Sequence, residues 1–131
     1  MNEVYAYFTP LHVLWFAVGG GFGAALRYSV SQLFLYYRGN WPLATWSINL
    51  SGALLLGFAA AYFNDHALSP GFLFWELGVL GGYTTMSTFA VETVTLAHAR
   101  HRLTAIIYML GSAVTGLGAL ALGFSLGGLL S

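Results

Sequence analysis

Residues 81–89, Gly81-Gly82-Tyr83-Thr84-Thr85-Met86-Ser87-Thr88-Phe89, set two glycines and a cluster of hydroxyl side chains in the middle of a long apolar run. Glycine and hydroxyl residues are poor helix material. At mid-membrane depth, unsatisfied backbone is most costly and is tolerated only where protein, an ion or water supplies partners. The natural inference is a broken helix, as in transporters and channels with discontinuous spans. The freed carbonyls of Gly81 and Thr84 would suit a hard cation, and the half-helix starting beyond them would favour an anion. The competing reading keeps the helix continuous, with each hydroxyl bonded to the preceding turn.

Other polar groups lie at similar depth. Thr45, Ser47 and Ser51 surround Asn49, whose amide offers two N–H donors to a dehydrated anion. Tyr108, Ser112 and Thr115 recur at i, i+4 and i+7, so their hydroxyls form one stripe on one helix face. Taken singly, each is more commonly an interhelical hydrogen bond than a pore contact. Arg27 and Glu92 are the two charges placed inside or near hydrocarbon, where an ionised group costs several kcal/mol unless it meets water or a partner. Arg27 either snorkels to the interface as an anchor or serves function. Glu92 is either a hydrogen-bonded structural carboxyl or a working one.

The elements that must position these groups follow from composition. The 131 residues are 58% hydrophobic and 6% charged, which describes a chain dissolved in lipid. A helix crossing a ~30 Å hydrocarbon core needs about 20 apolar residues. Four segments qualify, about 11–37, 43–63, 71–97 and 103–129, giving one all-α integral membrane domain over residues 1–131. Arg38 to Pro42, Asn64 to His66 with Ser69-Pro70-Gly71, and His98 to Arg102 mark the breaks. Tryptophans 41, 46 and 75 and tyrosines 36, 37 and 62 sit near span ends, where an amphipathic ring keeps one edge wet. Met1 to Pro10 carries Glu3 and no basic residue, the wrong start for a cleaved signal, so the first span is expected to be kept.

With no lysine and four arginines against four acids, no long-range field steers nucleic acid. No cysteine is present, which excludes thiolate metal sites, disulfides and cysteine nucleophiles. Arg38, Arg100 and Arg102 share one side of the membrane while Glu3 and Asp65 occupy the other; the basic side is expected to be cytoplasmic and both termini outside. Gly19 with Gly23, and Gly123 with Gly127, have the spacing of close helix contacts, either within the chain or at a dimer seam. Four helices can hardly enclose a polar path without exposing it to lipid, which independently favours a dimer.

The chain closely resembles the Fluc, or CrcB, family of fluoride channels along nearly its whole length. Gly19 to Tyr28 is similar to the family's first-helix signature GGxxGAxxRY, Trp46 to Gly52 to its VNxxG region, and Gly81 to Phe89 to GGxTTFSTF. Three such motifs in order on the correct spans are specific. The resemblance implies an antiparallel dimer of four-helix subunits, the third helix broken near its centre, in the cell's inner (plasma) membrane. It also implies two fluoride paths at the interface and a structural sodium ion on the dimer axis. The activity would be passive export of cytoplasmic fluoride by a channel that is not an enzyme.

By motif, Asn49 would donate hydrogen bonds to fluoride, Arg27 would mark the vestibule, and Phe89 would present its electropositive ring edge. Gly81 and Thr84 would give sodium-binding carbonyls, and Tyr108, Ser112, Thr88 and Glu92 would belong to the polar track, with Thr115 a weaker match. Two departures stand out. Met86 replaces the first phenylalanine of TTFSTF, exchanging a ring edge for a flexible thioether. The bias of three arginines against none sits poorly with one sequence inserting both ways, so the second subunit is either identical or a homologous chain of opposite orientation. The rival readings are a proton-coupled small multidrug transporter and a non-conducting partner subunit.

Overall fold

The computed structural model describes residues 9–38, 41–63 and 69–130. Glu3 and the breaks expected at Gly39-Asn40 and Asn64 to His66 lie outside the described residues. Helix α1 runs Pro10–Arg38 and α2 runs Trp41–Tyr62. Within the expected third span, residues 71–97, the first helix, α3 over residues 70–83, opens with a turn at Pro70–Phe72, widens into a π-helical stretch at Leu73–Leu80, and closes with Gly81–Tyr83. Helix α4 is Met86–His98 and α5 is Arg102–Gly128. Among the described residues every regular element is helical. Helices α1, α2 and α5 are each long and apolar enough to cross a membrane.

Local chemistry sets the helix ends. Ser69 caps α3, its hydroxyl accepting from the Phe72 N–H at 3.1 Å, and Pro70 follows where its missing N–H has no helical partner to lose. Helix α4 ends at Ala99 with Arg100 in the left-handed region (φ 63°). The His101 N–H then reaches back to the Leu96 carbonyl at 3.1 Å, the six-to-one bond of a Schellman turn. Glycine usually occupies such a position because a Cβ there costs roughly 1–2 kcal/mol. An arginine accepts that strain here.

Two helix pairs carry the fold. α1 packs along α3, and α2 along α5. Lipid provides no hydrophobic drive for association, so close approach through small residues does the work. A Cβ on Gly19 would strike the Phe74 carbonyl, and one on Gly23 the Val79 carbonyl. Gly123 and Gly127 sit equally tightly on the Leu54 and Phe58 carbonyls of α2. Both glycine pairs therefore seal contacts within the chain. Among the described residues Ile48 and Leu73 are the large side chains that are fully buried, while Val114, Leu117 and Val91 are exposed on the outer surface of the chain.

Enlarging Gly123 to valine forces α5 off the Leu54 carbonyl, an overpacking cost of about 1–3 kcal/mol. The purified Gly123→Val protein should show a clearly lower thermal midpoint in detergent than the native chain.

Candidate functional site

The polar centre forms where α3 gives way to α4. Thr84 (ψ 157°) and Thr85 (φ −147°, ψ 119°) are extended, so two residues leave the helix between Tyr83 and Met86. In a continuous α-helix the Gly81 carbonyl would take the Thr85 N–H, and the Thr84 carbonyl would take the Thr88 N–H. Both donors go elsewhere. The Thr85 N–H donates to Asn49 Oδ1 at 2.8 Å, and the Thr88 N–H donates to the Thr85 hydroxyl at 3.3 Å, capping α4. The Asn49 amide nitrogen also donates to the Thr85 carbonyl at 3.0 Å. One side-chain amide thus satisfies both backbone groups of Thr85.

Position on α2 makes this possible. Gly52, one turn beyond Asn49, has no room for a Cβ because the Thr84 methyl fills that space. Ser51 bonds to the Tyr83 hydroxyl at 3.0 Å and anchors the other side of the segment. Arg27 reaches across from α1, with Nη1 3.5 Å from the Thr84 carbonyl, the outer limit of a hydrogen bond.

Nearly two turns into α4, Glu92 is buried, 4% exposed. Thr45 donates to Oε1 and Tyr108 to Oε2, each at 2.6 Å. Such lengths belong to strong bonds to a carboxyl group. The Phe89 ring leans on Tyr108, with centroids 5.3 Å apart and planes at 48°. Tyr108, Ser112 and Thr115 do share one face, lining a groove of about 680 Å³ between α2 and α5 together with Trp46, Thr104 and His101.

The direction of each O–H decides what it can offer. Tyr108 and Thr45 donate to Glu92, Thr115 donates to the Gly111 carbonyl at 2.7 Å, and Thr84 donates to Leu80 at 3.0 Å. Thr88 accepts from Thr85, which leaves its own hydrogen for another acceptor. Ser112 Oγ is buried and makes no hydrogen bond among the described residues. Asn49 keeps its second amide hydrogen. Of the polar-track residues, those with a donor open to a ligand are therefore Asn49, Thr88 and Ser112.

The structure brings Asn49, Thr84, Thr88, Phe89, Glu92 and Tyr108 around the interruption, with Arg27 at its edge. Met86 stands apart, 74% exposed on the outer surface of the chain, and Gly81 is also exposed. Counting two ionisable groups at membrane depth omitted a third. Glu76, 8% exposed in the π-helical stretch, has one carboxylate oxygen with no partner among the described residues. A charge inside residues 71–97 was the signal that pointed to it. Trp46, read as an interfacial ring, donates its indole N–H to Thr115 at 3.0 Å, a partner that the sequence reading did not name.

Long apolar helices around an internal polar break define a multi-pass membrane protein. Residues 14–124 match the model of the CrcB-like protein, Camphor Resistance (CrcB), family, and the chain belongs to that family. A relative from Hydrogenobaculum sp. (strain Y04AAS1), described as a fluoride-specific ion channel FluC, is 44% identical over 115 residues, covering 86% of this chain and 94% of the relative. Two others with the same description are each 37% identical over 118 residues. That of Methylobacterium sp. (strain 4-46) covers 88% of this chain and 95% of its own length. That of Helicobacter pylori (strain J99 / ATCC 700824) covers 86% and 90%.

Glu92→Gln replaces one acceptor oxygen with an N–H₂ group facing either Thr45 or Tyr108. A buried donor left without an acceptor costs about 1–3 kcal/mol. The thermal midpoint of the variant should fall, and Thr45→Val in the same background should cost less than it does in the native chain.

Proposed function

We propose that this chain is a subunit of a fluoride-selective channel, not an enzyme, that lets cytoplasmic fluoride leave passively down its electrochemical gradient. The observation that carries this reading is a set of uncommitted donors in a lysine-free apolar chain, Asn49 and Thr88 at the Thr84-Thr85 interruption and Ser112 in the groove between α2 and α5. The descriptions of the relatives agree with it. Fluoride is small and strongly hydrated, so a path must replace its water with hydrogen-bond donors. Asn49 uses one N–H to hold Thr85 and has the other for the ion. Thr88 and Ser112 add hydroxyls, Phe89 a ring edge, and Arg27 a positive vestibule.

Tyr108, Thr115 and Glu92 take a supporting part in this path. Tyr108 and Thr45 hold Glu92 on both oxygens, which keeps that carboxyl from swinging toward the anion. The same two bonds weigh against a proton-coupled drug transporter, whose acid must stand open to a substrate cavity.

The working unit is an antiparallel dimer in the cell's inner membrane, with residues 1–131 as one domain per subunit. In the dimer a partner would cover Met86 and the outer faces of α4 and α5, and Met86 would join the path in place of a ring. The carbonyls of Gly81 and Thr84 have lost their helical partners, and as hard oxygens they fit a sodium ion, which would supply fixed positive charge at the dimer axis. Two oxygens are too few for a hard cation, and a second subunit would double them. Three arginines on one side also leave room for a homologous partner of opposite orientation.

Fluoride-electrode recordings of efflux from liposomes loaded with potassium fluoride test this reading. The native chain should release fluoride, whereas matched liposomes loaded with potassium chloride and followed with a chloride electrode should retain their anion. Asn49→Asp should abolish release, since a carboxylate would face both the anion and the Thr85 carbonyl; undiminished efflux would remove Asn49 from the path. Phe89→Ile should slow release while the protein still elutes as the native assembly.

A further inference from the structure

The bond from Trp46 to Thr115 lies at a junction. On one side is the 680 Å³ groove lined by Tyr108, Ser112 and Thr115; on the other is a recess of about 520 Å³ lined by Ser47, Ser51, Leu54, Thr115 and Gly118. Thr115 borders both, and the Trp46 indole spans from α2 to meet it at 3.0 Å. The two hollows form one α2–α5 furrow divided by this bond.

The chemistry of the two partners is unequal. An indole N–H donates and cannot accept. The Thr115 hydroxyl already gives its hydrogen to the Gly111 carbonyl at 2.7 Å, so toward Trp46 it acts only as an acceptor. Thr115 therefore has no hydrogen for an anion, whereas Trp46 has one that an anion can take over. Ser112, one turn earlier on α5, lines the same groove with a buried hydroxyl that has no partner among the described residues. Buried hydroxyls without partners are rare in folded proteins and call for an explanation.

We propose that the Trp46 indole N–H is an anion-binding donor. By exchanging Thr115 for fluoride, it forms a subsite with the Ser112 hydroxyl and opens the junction between the two hollows. The exchange trades a neutral bond for one to a charged acceptor, which is stronger by roughly a factor of two. Thr115 is thus the closing partner of a latch, and Trp46 both senses the ion and passes it on. This inference rests on the fluoride-channel reading.

Indole resonances of the four tryptophans, recorded by nitrogen-15 NMR on the detergent-solubilised native protein, give the test. Trp46→Phe identifies the Trp46 peak by its loss. That peak should move on titration with sodium fluoride and stay still with sodium chloride, and Ser112→Ala should weaken the response about tenfold. Thr115→Val removes the competing acceptor, so the peak should respond at lower fluoride concentration, while Trp46→Phe should slow liposome efflux about tenfold. A purely structural tie between α2 and α5 would make both variants worse alike. An indole peak indifferent to fluoride overturns the proposal, as does a Thr115→Val protein whose response is weakened. If the peak responds but the native chain releases no fluoride, the subsite stands and the channel reading fails.

Discussion

Two hydrogen bonds between the Asn49 side chain and the Thr85 backbone, at 2.8 and 3.0 Å, are the contact on which the rest of the site depends. Inside a bilayer an unpaired peptide group costs several kcal/mol. The interruption at Thr84-Thr85 persists only because a side-chain amide presents one donor and one acceptor at the spacing a neighbouring strand would offer. Gly52 brings α2 close enough for this, and the Thr85 hydroxyl caps the helix that restarts. Without the amide, the least costly solution would be to continue the helix.

Holding that segment open has two consequences. Carbonyls at Gly81 and Thr84 lose the helical donors of Thr85 and Thr88, and the Arg27 guanidinium lies near the second of them. Downstream, Phe89 packs on Tyr108 of α5, and Glu92 is fixed between Thr45 of α2 and Tyr108 of α5. The hydroxyls then divide by where their hydrogens point. Those that bond to a carbonyl or to Glu92 stiffen the frame, and those left over can serve an anion. A chain with many hydroxyls can therefore have very few working donors.

Much of this was readable from residue types. Apolar runs with Pro, Gly and Asn between them determine where helices can lie, and Gly19, Gly23, Gly123 and Gly127 announce close contacts by spacing alone. Spacing could not say whether those contacts lie within one chain or between two; the carbonyls of Phe74, Val79, Leu54 and Phe58 decide it. Residues 81–89 stood out because glycine and threonine are costly at that depth. The role of Asn49 as a clamp on Thr85 was hidden, since it depends on a partner 36 positions away. Trp46 and Thr115, 69 positions apart, were hidden in the same way. Glu76 was visible as a charge in an apolar run, but its missing partner is a property of packing.

The central claim is that a few fixed donors around a clamped interruption select fluoride by replacing its water. Planar-bilayer recording of the purified chain tests it most directly, with fluoride graded across the membrane and chloride varied independently. The account predicts currents whose reversal potential follows the fluoride gradient and ignores chloride. Currents that reverse with chloride as readily as with fluoride would contradict it.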